Sequence, residues 1–168
     1  MVPAEESARM PDDRGMKLSE VIELDTDEIL SLIPHRPPFL WIDRVTELEP
    51  GKRCVALKHV DPDERFFAGH FPDKPVLPGV FLIEAAAQTA AVLQACSRPA
   101  AGEPHAASGD HLLVAVNRFK FLKPVTPGSE LVIEVRLTAV SSPMACVDAV
   151  LRVGGEVVAK GELSLVVT

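Results

Sequence analysis

The sequence predicts an α+β fold in which an antiparallel β-sheet curls around one long, buried α-helix. The first observation is the run from Gly79 to Cys96, Ala-rich and apolar nearly all round, which has strong helix propensity and must be covered on most sides. The second is a set of four Val-, Leu- and Ile-rich runs after it, separated by turn signals. The third is a shorter pair of strand-like runs before it. A sheet wrapped around an apolar helix buries the hydrophobic surface of both elements at once.

Taken in order, residues 1–20 are polar, contain Pro3, Pro11 and Gly15, and show no periodicity, so they are expected to form a flexible tail. The remainder, 21–168, reads as one domain. Asp25 or Thr26 can cap a short helix through Leu32, with Ile29, Leu30 and Ile33 turned inward. Pro34 stops it, and Pro37-Pro38 makes an extended connector. Strands are expected over Val45–Leu48 and Cys54–Val60, joined by the turn Glu49-Pro50-Gly51-Lys52. The Pro-rich stretch 61–78 reads as a long loop, ordered by the anchors Phe66, Phe67, Phe71, Val76 and Leu77. After the helix, residues 97–111 are rich in Pro, Gly, Ala and Ser and suggest a surface loop. The last four strands are expected at 112–122, 130–140, 144–153 and 156–167. Pro127-Gly128-Ser129, Ser141-Ser142-Pro143 and Gly154-Gly155 supply the turns of an antiparallel meander.

Composition narrows the functional classes. The chain has 168 residues, 47% hydrophobic and 24% charged, which is a globular balance rather than a disordered or membrane one. Glu84, Gln88 and Gln94 interrupt the apolar run and make it a poor transmembrane candidate. A net charge of -7 argues against nucleic acid as a partner, since that needs a basic footprint. The acidic, unpatterned N-terminus does not read as a signal peptide. Cys54, Cys96 and Cys146 are odd in number and lack metal-ligand spacing, which fits a reduced, cytoplasmic protein with thiols used as small apolar residues.

The segment from Gly69 to Gln88 carries the residues suited to chemistry. Glu84 lies just over one turn into the helix among Ala, Ile, Leu, Val and Phe, a setting that favours its protonated, acid-donating form. Gln88, four residues on, shares its face and can hydrogen-bond it. Glu84 on an exposed stripe with Gln88 and Gln94 would instead be an ordinary surface residue. His70 follows Gly69 and precedes Phe71-Pro72, which stiffens the chain. A His and a Glu so placed are the raw material of general acid–base catalysis. Gly79 opens the helix, where N–H groups point outward and can stabilise a developing oxyanion. Pro78-Gly79 is equally a common turn-to-helix junction, so the combination of all three residues carries the reading.

Several motifs then point to a family. Pro34-His35-Arg36-Pro37-Pro38-Phe39-Leu40, Ile42-Asp43-Arg44-Val45, Gly69-His70-Phe71-Pro72, Pro75-Val76-Leu77-Pro78-Gly79-Val80 and Glu84-Ala85-Ala86-Ala87-Gln88 resemble the FabZ-type 3-hydroxyacyl-acyl carrier protein dehydratases. Phe121 to Leu131 resembles the same family's later strand and turn. Related FabA-type isomerising enzymes carry Asp where this chain has Glu84. Pro37, Trp41, Asn117 and Leu77 depart from the usual pattern and bear on pocket shape.

The resemblance implies a hot-dog fold and a homodimer or trimer of dimers, with a hetero-dimer as a variant. It implies syn-type dehydration of a (3R)-hydroxyacyl thioester to the trans-2-enoyl product in fatty-acid or polyketide elongation. The substrate would ride on the 4'-phosphopantetheine arm of an acyl carrier protein. His70 would be the base, Glu84 of the neighbouring protomer the acid, and the Gly79 amide the thioester-binding donor. Gln88, Phe71 and Pro72 would support them, with no cofactor and no metal. Phe66, Val80 and Phe81 are candidates for the acyl tunnel, although the same residues also suit a plain core. Arg118, Lys120 and Lys123 are candidates for carrier-protein docking, with Arg118 and Lys120 expected on one strand face. The competing readings are a hot-dog thioesterase or hydratase acting on acyl-CoA, and a non-catalytic acyl-binding subunit of a hetero-oligomer.

Overall fold

The computed structural model describes residues 21–97 and 110–168. The tail expected over 1–20, and most of the loop expected over 97–111, lie outside the described residues. The elements run β1 (Ile22–Leu24), α1 (Thr26–Leu32), β2 (Arg44–Glu49), β3 (Arg53–His59), a 3-10 turn at Arg65–Ala68, α2 (Gly79–Ser97), β4 (His111–Phe121), β5 (Glu130–Ser141), β6 (Met144–Val153) and β7 (Glu156–Val167). Strand β1 was not expected from the sequence: three residues, two of them exposed, give too short a pattern to read.

Among the described residues, seven strands join one antiparallel sheet in the order β1-β2-β3-β5-β6-β7-β4. The chain leaves β3, threads α2 across the concave face, lays β4 at the far edge and fills the middle with the meander β5-β6-β7. Alternation sets the inner face: Leu131, Ile133 and Val135 of β5 are buried while the residues between them are not. Every residue of α2 from Ala85 to Gln94 is buried. The alanines let strands approach the helix from several sides, and the buried side chains form one continuous core with α1. By length and composition alone α2 could cross a bilayer, so the interrupting Glu and Gln residues do not disqualify it; it is instead the enclosed core helix of this sheet.

Local chemistry fixes the ends of this frame. Asp25 caps α1 in a reciprocal capping box with Glu28. Ile29 and Leu32 of that helix, with Ile33 behind it, enter the core, whereas Leu30 is only half-buried. A bulge between Asn117 and Lys120 breaks the pairing of β4 with β7. It overturns the simple alternation that puts Arg118 and Lys120 on one face. Arg118 there adopts φ 49°, and a Cβ on Gly161 of the facing strand would stand 2.5 Å from the Cα of Phe119. Only glycine permits that approach. Cys54 is fully buried, and burial pushes its thiol well up. Burial likewise raises the half-buried Cys96 to about 11. These two are inert packing residues, as expected.

Candidate active site

His70 closes a compact loop between the 3-10 turn and α2. Its backbone N–H donates to Phe66 O (2.9 Å), and its carbonyl accepts from Val76 N (3.1 Å). The ring Nδ1 lies 2.7 Å from Val76 O. A carbonyl only accepts, so Nδ1 carries the hydrogen and Nε2 keeps the lone pair that can take a proton. Phe71 stacks on the imidazole with ring centroids 4.3 Å apart. Leu77 N donates to Val125 O (2.8 Å), which ties the loop to the strand connection after β4.

A cleft of about 530 Å³ opens beside this loop, lined by His70, Gly79, Val80, Ile83, Phe121 and Lys123 among others. Gly79 is the first residue of α2, and the leading N–H groups of a helix lack intrahelical acceptors. The need for glycine here has a second cause that the sequence did not suggest. A Cβ at Gly79 would stand 2.9 Å from the Phe121 ring, so the aromatic side chain of β4 sits directly against the bare backbone.

Glu84 does not line that cleft. Successive residues of an α-helix turn by about 100°, so Glu84 projects about 140° around the helix from Gly79. It shares its side of α2 with Phe81 and Gln88. Its surroundings are also less apolar than the sequence implies. Gln88 Nε2 donates to Glu84 Oε1 (2.8 Å) and to Phe39 O (2.9 Å), while Gln88 Oε1 accepts from Trp41 N (2.8 Å). The neighbouring backbone thus fixes which way the Gln88 amide points. His35 Nε2 is 3.4 Å from the same Oε1. Sequence reasoning gave His35 no role, because its place in a Pro-flanked connector carries no periodic signal.

One protomer therefore brings His70, Gly79 and Val80 together and holds Glu84 and Gln88 apart from them. Phe66 and Phe81, the other tunnel candidates, do not join Val80. They pack with Trp41, at 5.9 and 4.2 Å between ring centroids, and line a separate cleft of about 670 Å³ with Phe39. Of the docking candidates, Arg118 pairs with Glu162. Lys123 pairs with Glu156 at 2.7 Å on the rim of the His70 cleft. Lys120 is exposed and stands opposite Lys160 across the β4–β7 ladder. Pro72 is exposed in the loop after Phe71.

Comparison with known proteins identifies the family to which the chain belongs. A family model described as a FabA-like domain matches residues 33–162. The 3-hydroxyacyl-[acyl-carrier-protein] dehydratase FabZ of Staphylococcus haemolyticus is 43% identical over 143 residues, which is 85% of this chain and 94% of that protein. The FabZ of Anaeromyxobacter sp. is 45% identical over 140 residues, 83% of this chain and 87% of that one. Among solved structures, a chain of the dehydratase heterocomplex ApeI:P from Xenorhabdus doucetiae superposes with a TM-score of 0.70 at 21% identity, covering 83% of this chain and 90% of that one. A protein from Streptococcus mutans bound to acetyl CoA gives 0.55 at 17% identity, covering 74% and 86%. At these identities the solved structures speak to the fold alone.

Proposed function

Because this chain belongs to the FabZ-type 3-hydroxyacyl-[acyl-carrier-protein] dehydratases of the FabA-like family, with their hot-dog fold, we propose that it removes water from a (3R)-hydroxyacyl chain carried on acyl carrier protein. The observation that carries the reading is the division of the site. A base and an amide donor share one cleft, and the carboxyl they need is presented on the far side of the same helix.

The reaction follows from those groups. His70 Nε2 takes the C2 proton while Val76 O holds the hydrogen on Nδ1 and steadies the ring. Negative charge gathers on the thioester oxygen, where the Gly79 N–H stabilises it at the positive end of α2. Glu84 protonates the C3 hydroxyl as the C3–O bond breaks, giving water and the trans-2-enoyl thioester. Solvent then returns the proton from His70 to Glu84.

Glu84 reaches that cleft from a second protomer. The strand β4 supports a dimer: its eleven residues form a sheet edge, and Leu112, Leu113, Val114, Val116, Phe121 and the following Leu122 are exposed. Such an edge offers unpaired backbone and apolar surface to a second copy across a two-fold axis. Two-fold pairing there carries the Glu84 side of one α2 to the His70 cleft of the other. Val80, Phe81 and Phe66 then take the acyl chain as it passes between protomers. An acidic carrier protein would meet Lys120 and Lys160, whose charges reinforce each other, more strongly than Arg118 or Lys123, which are already paired. The cytoplasm is the setting for such a carrier-dependent reaction.

The test is incubation of the purified protein with 3-hydroxyacyl carrier proteins of several chain lengths, following enoyl thioester formation by mass spectrometry. Absence of enoyl product at every length, or release of free thiol from acyl-CoA instead, would rule the reading out.

A further inference from the structure

The connector between α1 and β2 is held unusually firmly for a loop, and it delivers one polar side chain to the acid. Arg36 Nη1 donates to the carbonyls of Ile33 (2.8 Å) and His35 (2.7 Å), and Phe39 N donates to Arg36 O (2.8 Å). Gln88 then clasps the far end through Phe39 O and Trp41 N. The imidazole of His35 stacks on Phe39, centroids 6.4 Å apart and planes 18° from parallel. Its Nδ1 is buried without a hydrogen-bond partner. Its Nε2 faces Glu84 Oε1 at 3.4 Å.

A ring nitrogen aimed at a carboxyl oxygen is favoured as a donor, which puts the hydrogen on Nε2. Gln88 Nε2 donates to the same Oε1. Gln88 thus hydrogen-bonds, and His35 Nε2 stands against, the same oxygen of Glu84. In a protonated carboxyl the carbonyl oxygen accepts and the other oxygen bears the hydrogen, so N–H groups facing Oε1 leave Oε2 as the seat of the proton. The His35 contact is longer than the Gln88 bond, and such contacts tighten commonly when substrate fills a site.

We infer that His35 is a positioning residue for Glu84: with Gln88 it fixes the carboxyl so that Oε2 carries the proton given to the departing C3 hydroxyl. In that step the Oε2–H bond breaks, the proton passes to the C3 oxygen as the C3–O bond breaks, and water leaves a carboxylate still held at Oε1. The inference rests on the dehydratase reading above and goes beyond it, since His35 touches the acid and not the substrate.

Three variants test it: His35→Leu removes the donor, His35→Gln places an amide N–H near the position of Nε2, and His35→Asn carries the same amide one carbon short. His35→Leu and His35→Asn should lose roughly ten- to a hundred-fold in kcat with KM changed by less than about two-fold, the signature of misplaced catalytic geometry. His35→Gln should recover most of kcat. Thermal unfolding of each variant separates this from loss of structure; if His35→Leu does not fold, the Gln–Asn pair decides. Equal kcat for His35→Gln and His35→Asn, or wild-type kcat in His35→Leu, overturns the inference. A wild-type protein that forms no enoyl product would overturn the dehydratase reading instead, a separate result.

Discussion

The proposed sharing of the site between protomers makes a quantitative prediction. Replacing His70 by Ala removes the base, and replacing Glu84 by Gln removes the acid while keeping an acceptor for the Gln88 amide. Each homodimer should lose about 10²- to 10⁴-fold in kcat, the usual worth of one positioned acid or base. A mixed dimer, with His70→Ala on one protomer and Glu84→Gln on the other, differs. One of its sites brings both substitutions together and is doubly impaired; the other pairs the intact His70 of one protomer with the intact Glu84 of its partner and is wild-type. Random exchange at equal concentrations puts about half the chains into mixed dimers, each with one intact site of two, so activity should return to about a quarter of wild type. Co-expression with two affinity tags isolates the mixed dimer, which should reach about half of wild type per dimer. Enoyl formation is the assay and native mass spectrometry verifies the mixing. Mixed dimers no more active than their parents would refute the shared site and place both groups within one protomer.

Two further outcomes follow from the packing and the charges. Gly161→Ala should destabilise the fold by about 1–3 kcal/mol in chemical denaturation, because its Cβ would meet the Cα of Phe119 at 2.5 Å and backbone cannot swing aside; an unchanged midpoint would contradict the close approach. Glu134 accepts from Arg53 (3.1 Å), Arg136 (2.7 Å) and Arg152 (3.4 Å); burial pushes its carboxyl up, but Arg53 and Arg136 outweigh that and hold it below the ordinary carboxylate range. A folded-state value below the unfolded one gives stability that is fully present above the ordinary carboxylate range and is lost as pH falls through the folded value. Glu134→Gln should therefore cost on the order of 1 kcal/mol at neutral pH, partly screened because Arg136 is exposed, and should flatten the loss of stability below about pH 5. Urea midpoints at pH 7 and pH 3 check it, and identical acid dependence in both proteins would discount the network.

Legibility followed the physical range of each signal. The helix around Ala85–Gln94 and the meander β5-β6-β7 were readable because burial writes itself as composition and alternation over ten residues or more. His70, Gly79, Glu84 and Gln88 were readable as residue types in a short ordered motif. The bulge at Arg118–Phe119 was not, since its cause lies on Gly161 in another strand. The contact of His35 with Glu84 was equally hidden, because the two lie forty-nine positions apart and the connector that carries His35 has no periodicity to fix its path. Phe66 and Phe81 stood with Val80 as acyl-tunnel candidates, and their position on the Trp41 side rather than beside Val80 depends on helix rotation and loop course together.

The enclosure of α2 gives a physical reason for the divided site proposed above. A helix buried from Ala85 to Gln94 leaves its first turns as the place to present reactive groups beside the His70 loop. Those turns offer two directions. Gly79, Leu82 and Ile83 face the His70 cleft, and Phe81, Glu84 and Gln88 face the connector that carries His35, Phe39 and Trp41. Glu84 lies five positions after Gly79, about 140° around the helix, so the acid projects away from the cleft of its own protomer. On the proposed mechanism, the groups that deprotonate C2 and protonate the C3 hydroxyl meet around one substrate when a second α2 presents its other face. In the proposed dimer, pairing along β4 would supply that second helix and would cover the exposed apolar residues Leu112, Leu113, Val114, Val116 and Phe121 in the same step. On this geometry, a charged substitution such as Val114→Glu, distant from both His70 and Glu84 in sequence, should abolish dehydration in proportion to the dimer it removes.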